Sequence, residues 1–131
     1  MRVFLDTNVL VAAYATHGLC EDIFRVTLAE HEMVVSETVL TEFERVLVQK
    51  LHLPPPQAKT LSSFLRRQAD VVKPAAPAVW PKSDPDDRWV VAAAIEGGAD
   101  FLVTGDHDLL EAAAEVTVPI VSPRAFWEQL G

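Results

Sequence analysis

The sequence predicts an α/β fold, a three-layer α/β/α sandwich built around a mostly parallel central sheet. Short apolar runs typical of buried strands alternate along the chain with longer segments of helical periodicity. Helix-boundary residues separate the segments, with serine or proline at several helix starts and Gly97-Gly98 after the most apolar helical run. Strands separated by helices pair in parallel, because each helix returns the chain to the same end of the sheet.

We expect a single domain that spans residues 1–131, since a chain of 131 residues suits one core of ordinary size. Strands are expected at residues 2–5, 33–35, 71–72, 101–104 and 118–121. Helices are expected at residues 7–14, 21–31, 37–51 with Ser36 as N-cap, 55–69 opened by Pro55 or Pro56, 89–95, 109–115 and 123–127 after a Ser122 cap. Residues 73–85 contain four prolines and are expected to form an extended surface connection.

Charge is distributed unevenly along the chain. The formal net charge is −8, which by itself disfavours a nucleic-acid partner. Residues 45–73, however, hold six basic residues and one acid, a charge of +5, whereas the remaining residues hold five basic and eighteen acidic ones, a charge of −13. A basic flank beside an acidic centre suits a polyanionic substrate whose chemistry needs a metal ion. An ordinary solvated helix face is an equally good interpretation of the basic segment.

Cysteine usage and hydropathy indicate a cytoplasmic protein without a membrane segment. The single cysteine, Cys20, excludes an internal disulfide, fits a reducing compartment and is expected to be at least half-buried. No apolar run approaches the ~20 residues of a membrane span. Asp6 and Asn8 interrupt the apolar stretch at the start, which argues against a signal peptide.

Several carboxylates follow predicted strands or open predicted helices. Asp6 follows the first strand, Asp87 lies at a helix start, and Asp106 and Asp108 follow Gly105 just past a later strand. Because the carboxyl ends of parallel strands meet at the ligand-binding edge of a sheet, we expect these side chains to converge. Glu42 borders the apolar stripe of its helix and is a further candidate, although exposure to solvent is the favoured explanation for Glu42 taken alone.

This carboxylate set predicts a hard divalent cation. Several ionised carboxylates in one cleft repel each other unless a cation lies among them. Oxygen ligands without histidine or cysteine favour Mg²⁺ or Mn²⁺ over zinc, and such ions bind substrate phosphate oxygens. No glycine-rich phosphate loop competes with this interpretation. His107 lies near the acids but is interpreted as a bystander. Helix capping is the alternative role for Asp6, with Thr7 and Asn8 as natural caps beside it.

Four motifs carry a resemblance to a known family: LDTNVL at residues 5–10, TEFERVL at 41–47, DPDDRWVVAAA at 84–94 and LVTGDHDLL at 102–110. Together, in this order and at these spacings, they resemble the PIN domain, specifically the small bacterial and archaeal VapC-like toxins of toxin–antitoxin systems. The resemblance covers essentially the whole chain. It implies a compact α/β sandwich and an endoribonuclease that depends on Mg²⁺ or Mn²⁺.

The resemblance also implies site residues, position by position. The acidic quartet of the family falls on Asp6, Glu42, Asp87 and Asp106, a further acid on Asp108, and two supporting polar positions on Asn8 and Thr104. The resemblance assigns the principal ion to Asp6, Asp87 and Asp106, whereas Glu42 would complete that site or hold a second ion and orient the attacking water. Asp84 and Asp86 adjoin Asp87, but only Asp87 keeps the family's distance to the alanine run. Asp106 is favoured over Asp108 as a direct ligand.

The predicted function is therefore the hydrolysis of RNA phosphodiester bonds by the toxin half of a toxin–antitoxin pair. The family implies a cognate antitoxin and a homodimer, and the basic segment would approach the RNA backbone, with Arg66 and Arg67 as the preferred contacts. Two other classes stay open. One is a non-catalytic PIN-type module that acts through a partner, and the other is a metal-dependent phosphatase or phospho-receiver. The receiver would need a lysine after a late strand, and none is present there.

Overall fold

Strands and helices alternate through the computed structural model, which describes residues 1–78 and 85–131. The strands are Arg2–Leu5 (β1), Glu32–Ser36 (β2), Asp70–Val72 (β3), Phe101–Val103 (β4) and Ile120–Val121 (β5). The helices are Thr7–Ala15 (α1), Leu19–Glu30 (α2), Glu37–Gln49 (α3), Pro55–Gln68 (α4), Pro85–Glu96 (α5), His107–Glu111 (α6) and Pro123–Leu130 (α7), with a short 3-10 turn at Ala113–Glu115. The predicted α/β class is confirmed.

The strands form one sheet in the order β3-β2-β1-β4-β5, and every pairing in it is parallel. The chain moves outward from β1 through β2 to β3, and then returns to the other side of β1 for β4. Leu5 pairs with Val103, and the N–H of Asp6 donates to the carbonyl of Val103 at 3.0 Å. The carboxyl ends of β1 and β4 therefore adjoin where the strand order reverses, which is the position of ligand sites in such sheets.

The helices cover both faces of the sheet. Crossovers between parallel strands are right-handed as a rule, which puts α1–α4, between β1 and β3, on one face of the sheet and α5, on the return to β4, on the other. In agreement, α1 packs on α2 and α3, whereas α5 packs on β2 and β4. The strand residues are covered on both sides and read as continuous apolar runs. Val3, Phe4, Val34 and Leu102 are fully buried and form the centre of the core.

Several helix ends form where the sequence predicts them. Ser36 accepts a hydrogen bond from the N–H of Val39 at 3.1 Å, and Ser122 does the same for Ala125 at 3.1 Å. Gly98 ends α5 with a φ of +64°, a left-handed conformation that glycine adopts without strain. A Cβ on the preceding Gly97 would lie only 2.7 Å from Val34 Cγ1, so this helix end packs directly against the sheet.

Some predicted boundaries are wrong by a few residues. The last strand begins at Ile120 instead of 118, because Pro119 has no N–H for the ladder. The helix predicted at 109–115 is two pieces, because Asp106 caps α6 and starts it at His107, and a 3-10 turn follows. Residues 73–78 have no regular structure, as expected for the connection, and its residues 79–84 lie outside the described part.

Two smaller predictions concern Cys20 and membrane-spanning segments. Cys20 is half-buried, as expected. Across residues 1–78 and 85–131, no helix combines the length and apolar character that a membrane crossing requires.

Candidate active site

Three carboxylates meet at the carboxyl edge of the sheet. Asp87 comes from the first turn of α5, Asp106 is the N-cap of α6, and Asp108 lies in the first turn of α6. One oxygen of each lies within 4.8 Å of the others. Asp87 is 8 % exposed, whereas Asp106 is half-buried and Asp108 is exposed. The cluster is therefore open to solvent on one side, as a site that receives a substrate must be.

Asp6 lies beside this cluster and is also buried, at 7 % exposure. It caps α1 itself, because its Oδ1 accepts from the N–H of Thr7 at 2.8 Å. The expectation that Thr7 and Asn8 would act as caps is therefore wrong. The second oxygen of Asp6, Oδ2, accepts the hydroxyl of Thr104 at 2.8 Å.

Asn8 and Thr104 connect the start of α1 to the loop after β4. The Oδ1 of Asn8 accepts from the N–H of Gly105 at 2.8 Å, and its Nδ2 lies 3.3 Å from both Asp6 Oδ2 and Thr104 Oγ1. Thr104 Oγ1 also accepts from the N–H of Asp106 at 3.0 Å. These bonds hold Asp6 and Asp106 in a defined relative position, because each polar group of the network has a partner.

A cleft of about 490 Å³ runs between α1, α3 and α5 in front of these groups. Among the described residues, five acids line it: Asp6, Glu42, Asp86, Asp87 and Asp106. Four of the five predicted carboxylates therefore share one cavity, and the fifth, Asp108, joins them through the cluster at its margin. Asp84, the other alternative to Asp87, lies outside the described residues.

Glu42 lies on the α3 wall of this cleft, in agreement with its predicted place beside the apolar stripe. Its carboxylate does not belong to the cluster of three. Arg45 Nη2 donates to its Oε1 at 2.5 Å, and the two side chains are 48 % and 36 % exposed. An intramolecular cation, Arg45, thus holds Glu42 in this structure.

Comparison with known proteins identifies the family. A family model described as the PIN domain matches residues 2–108. The chain belongs to the PIN domain family. The resemblance drawn from the four motifs is therefore confirmed. No curated protein matches the sequence significantly.

Solved structures share the fold of this PIN domain. VapBC2 from Rickettsia felis, bound to a DNA fragment from its promoter, aligns with a TM-score of 0.67 at 17 % identity, over 93 % of this chain and 98 % of the other. VapBC-1 from nontypeable Haemophilus influenzae aligns with a TM-score of 0.67 at 15 % identity, over 95 % of this chain and 99 % of the other. Mycobacterium tuberculosis VapC20, described as a sarcin-ricin loop cleaving toxin, aligns with a TM-score of 0.64 at 16 % identity, over 84 % of this chain and 94 % of the other. At these identities the likeness concerns the fold.

The electrostatics of the PIN domain cleft favour a bound cation. Burial raises the pKa of Asp6 above its ordinary value, and the negative charge of Asp106 acts in the same direction. The hydrogen bonds from Thr104 and Thr7 lower the pKa of Asp6 and only partly offset this effect. A cation near these carboxylates would favour the ionised form of Asp6 and relieve the repulsion.

The donor set fits Mg²⁺ or Mn²⁺. The cluster offers only carboxylate oxygens, which are the ligands that such hard cations prefer. Around an octahedral ion with bonds of about 2.1 Å, adjacent ligand oxygens lie ~3 Å apart and opposite ones ~4.2 Å. The three cluster oxygens, which lie within 4.8 Å of one another, are close enough to share one such ion.

The basic residues of this PIN domain differ in their surroundings. Arg66 makes a two-pronged salt bridge to Glu37, at 2.5 and 2.9 Å, and Arg67 is exposed on α4. Among the described residues, the cation that lines the cleft is Lys50, which the sequence interpretation did not single out. The signal was present, since Lys50 follows Val46 and Glu42 at intervals of four residues on one helical stripe.

Proposed function

We propose that this PIN domain is a metal-dependent endoribonuclease that acts as the toxin of a toxin–antitoxin system. The convergence of Asp87, Asp106 and Asp108 beside the buried Asp6 carries the proposal. The description of the similar VapC20 as a toxin that cleaves the sarcin-ricin loop supports it. A cleft open to solvent at the strand ends can admit an RNA strand without a change of fold.

In this proposal Asp87, Asp106 and Asp108 hold Mg²⁺ or Mn²⁺, and Asp6 completes the site directly or through water. When bound there, the ion would supply positive charge that stabilises the phosphate in the transition state and would make a water molecule more nucleophilic. Thr104 and Asn8 hold the ligand carboxylates in orientation, as outer hydrogen bonds do in metal sites. Glu42, once it leaves Arg45, orients the attacking water and accepts its proton, or holds a second ion.

Arg66 and Arg67 are proposed as contacts to the RNA backbone outside the cleft. Arg67 is exposed, whereas Arg66 would exchange Glu37 for a phosphate oxygen. Such contacts would position RNA of any sequence, because phosphates carry no base information.

Cleavage of labelled RNA in Mg²⁺, Mn²⁺ or EDTA tests the function. We expect cleavage with either ion and none in EDTA, and losses of at least 10²-fold for Asp6→Asn, Asp87→Asn and Asp106→Asn, the scale at which loss of one transition-state contact acts. Glu42→Gln is compared with Glu44→Gln, a matched change on the same helix outside the cleft lining. Activity that survives both Asp6→Asn and Asp87→Asn would refute the nuclease. Normal Mn²⁺ binding without cleavage of any RNA would favour the non-catalytic module.

We further propose that the protein is cytoplasmic, forms a homodimer and pairs with an antitoxin. The similarity of its fold to chains from the two VapBC structures supports the partner. A small open reading frame beside the gene, whose product co-purifies with the protein and suppresses cleavage, is the expected observation. Light scattering of the purified protein would give the mass of two chains. Cleavage that is unchanged by that product would argue against the pairing.

A further inference from the structure

We propose that Lys50 binds an RNA phosphate that neighbours the phosphate at which the strand is cleaved. Lys50 would thereby position a longer substrate in the cleft. The inference rests on the proposed ribonuclease function and extends it, because it assigns a substrate-positioning role to a residue outside the predicted acidic set.

Lys50 shares the α3 wall of the cleft with the acids. Thr38, Glu42, Val46 and Lys50 follow one another at intervals of four residues, and all of them line the cavity. Residues at that spacing lie on one face of a helix. Of the residues that the structure describes, Lys50 is the only basic one in this lining.

The ammonium group of Lys50 is available to a ligand. The neighbouring arginines are engaged, Arg45 by Glu42 and Arg66 by Glu37. Lys50 is exposed and makes no salt bridge with any residue in ranges 1–78 and 85–131. An ammonium group has three donors and binds phosphate as a point charge.

The positive charge of Lys50 reduces the repulsion between the acidic cleft and the phosphate backbone of RNA. The cleft lining holds five acids, and a phosphate backbone that approaches them is repelled. A bound divalent ion offsets part of that charge only at the cluster. Lys50 offers an attractive contact beyond the cluster, so the strand can follow the α3 wall.

The position of Lys50 along α3 indicates which phosphate it contacts. Lys50 follows Glu42 by eight residues, which corresponds to about 12 Å along the helix axis. Because Glu42 is the acid proposed to orient the attacking water, a side chain that starts about 12 Å further along α3 would contact a neighbouring phosphate. Its contribution therefore belongs to substrate binding, and it is a positioning residue.

The test compares Lys50→Gln with Lys50→Arg and with Arg25→Gln, which removes an exposed cation on α2 that lines a different hollow. Each variant is assayed with Mg²⁺ on a dinucleotide and on a longer single-stranded RNA. For Lys50→Gln we expect KM on the longer RNA to rise about tenfold, as for a lost hydrogen bond to a charged group, with kcat within about twofold. The salt slope of log Kd should become shallower by about 0.7. On the dinucleotide, Lys50→Gln and wild type should agree, and Lys50→Arg should restore binding of the longer RNA.

The outcomes separate this inference from the function on which it rests. An unchanged KM and salt slope for Lys50→Gln, in a wild-type protein that cleaves RNA, would overturn the role of Lys50 alone. An equal loss on the dinucleotide and on the longer RNA would also overturn it, since Lys50 would then act on the reaction or on folding. A wild-type protein that neither binds nor cleaves RNA would remove the proposed function, and the inference with it. Mn²⁺ binding and the melting temperature of each variant show whether the site and fold are intact.

Discussion

Thr104 donates its hydroxyl to Asp6 Oδ2 at 2.8 Å and so joins two residues 98 positions apart in the chain. The same hydroxyl oxygen accepts from the N–H of Asp106. One fully buried side chain at the end of β4 therefore holds the acid after β1 and the acid that opens α6. The relative position of these two carboxylates depends on a hydroxyl that needs no contact with the metal ion.

Replacement of Thr104 by valine tests this dependence. The variant keeps the volume of the side chain but removes the 2.8 Å hydrogen bond to Asp6 Oδ2 and the acceptor of the Asp106 N–H, at a cost of about 1–3 kcal/mol. We expect Mn²⁺ affinity to fall about 10-fold or more, as for lost outer hydrogen bonds in other metal sites. Urea unfolding in EDTA and Mn²⁺ titration measure the two effects. Thr104→Ser keeps the hydroxyl and should retain most of the affinity, and undiminished binding by Thr104→Val would contradict the role.

The raised pKa of Asp6 predicts a pH dependence of stability in the metal-free protein. Because the folded state holds the Asp6 proton to a higher pH than the unfolded state, the free energy of unfolding falls as pH rises from the ordinary value of 3.8 through the raised pKa. Asp6→Asn removes this loss and still caps α1. In EDTA we expect the melting temperature of Asp6→Asn to equal or exceed that of wild type at neutral pH.

With saturating Mg²⁺, wild type should instead have the higher melting temperature, since the ion stabilises the folded protein through the Asp6 carboxylate and not through the asparagine amide. Thermal melts across acidic and neutral pH, with and without the ion, provide the measurement. An Asp6→Asn variant that is less stable than wild type at every pH in EDTA would show that its hydrogen bonds outweigh the cost of the buried charge.

The ion pair between Arg45 and Glu42 predicts a competition with metal. Both side chains are more than one-third exposed, so we expect the pair to contribute less than about 1 kcal/mol. Arg45→Gln should release Glu42 and raise Mn²⁺ affinity by up to about fivefold, the equivalent of that energy. Repeating the substitution in a Glu42→Gln background gives the control, because the gain should then disappear. An identical gain in both backgrounds would mean that Arg45 acts through general charge alone.

The close approach of Gly97 to the sheet predicts a stability effect remote from the site. A Cβ at Gly97 would lie 2.7 Å from Val34 Cγ1 and 3.1 Å from both the Ala93 carbonyl and Val72 Cγ2. Val34 is fully buried and stiff, so Gly97→Ala should cost about 1–3 kcal/mol in urea unfolding. Gly18→Ala, whose Cβ would meet only Thr16 Oγ1 at 3.8 Å, should cost less. Equal stability of the two variants would show that the helix end can shift without cost.

Much of the fold could be predicted from the sequence, because its signals are local. Each of the caps, Ser36 and Ser122, accepts a hydrogen bond from the N–H three residues later in the chain. Gly98 adopts a left-handed conformation that glycine permits without help from distant residues. The boundary errors are also local in origin. Pro119 shortens the last strand and the Asp106 cap moves α6 toward the amino end, and both signals were readable in the sequence. The assignment of metal ligands among the acids stays a prediction.

The sequence by itself determined the family, the α/β class and the acids that stand at strand and helix ends, because motif spacing and periodicity are properties of the chain. Only the tertiary structure decided that β4 lies beside β1, since parallel strands of similar composition carry no signal of their order. That adjacency brings Asp6 to Asp106, and the packing of α3 beside α1 and α5 places Lys50 in the same cleft. Contacts between residues so far apart in the chain follow from packing, and packing is settled only when the whole core forms.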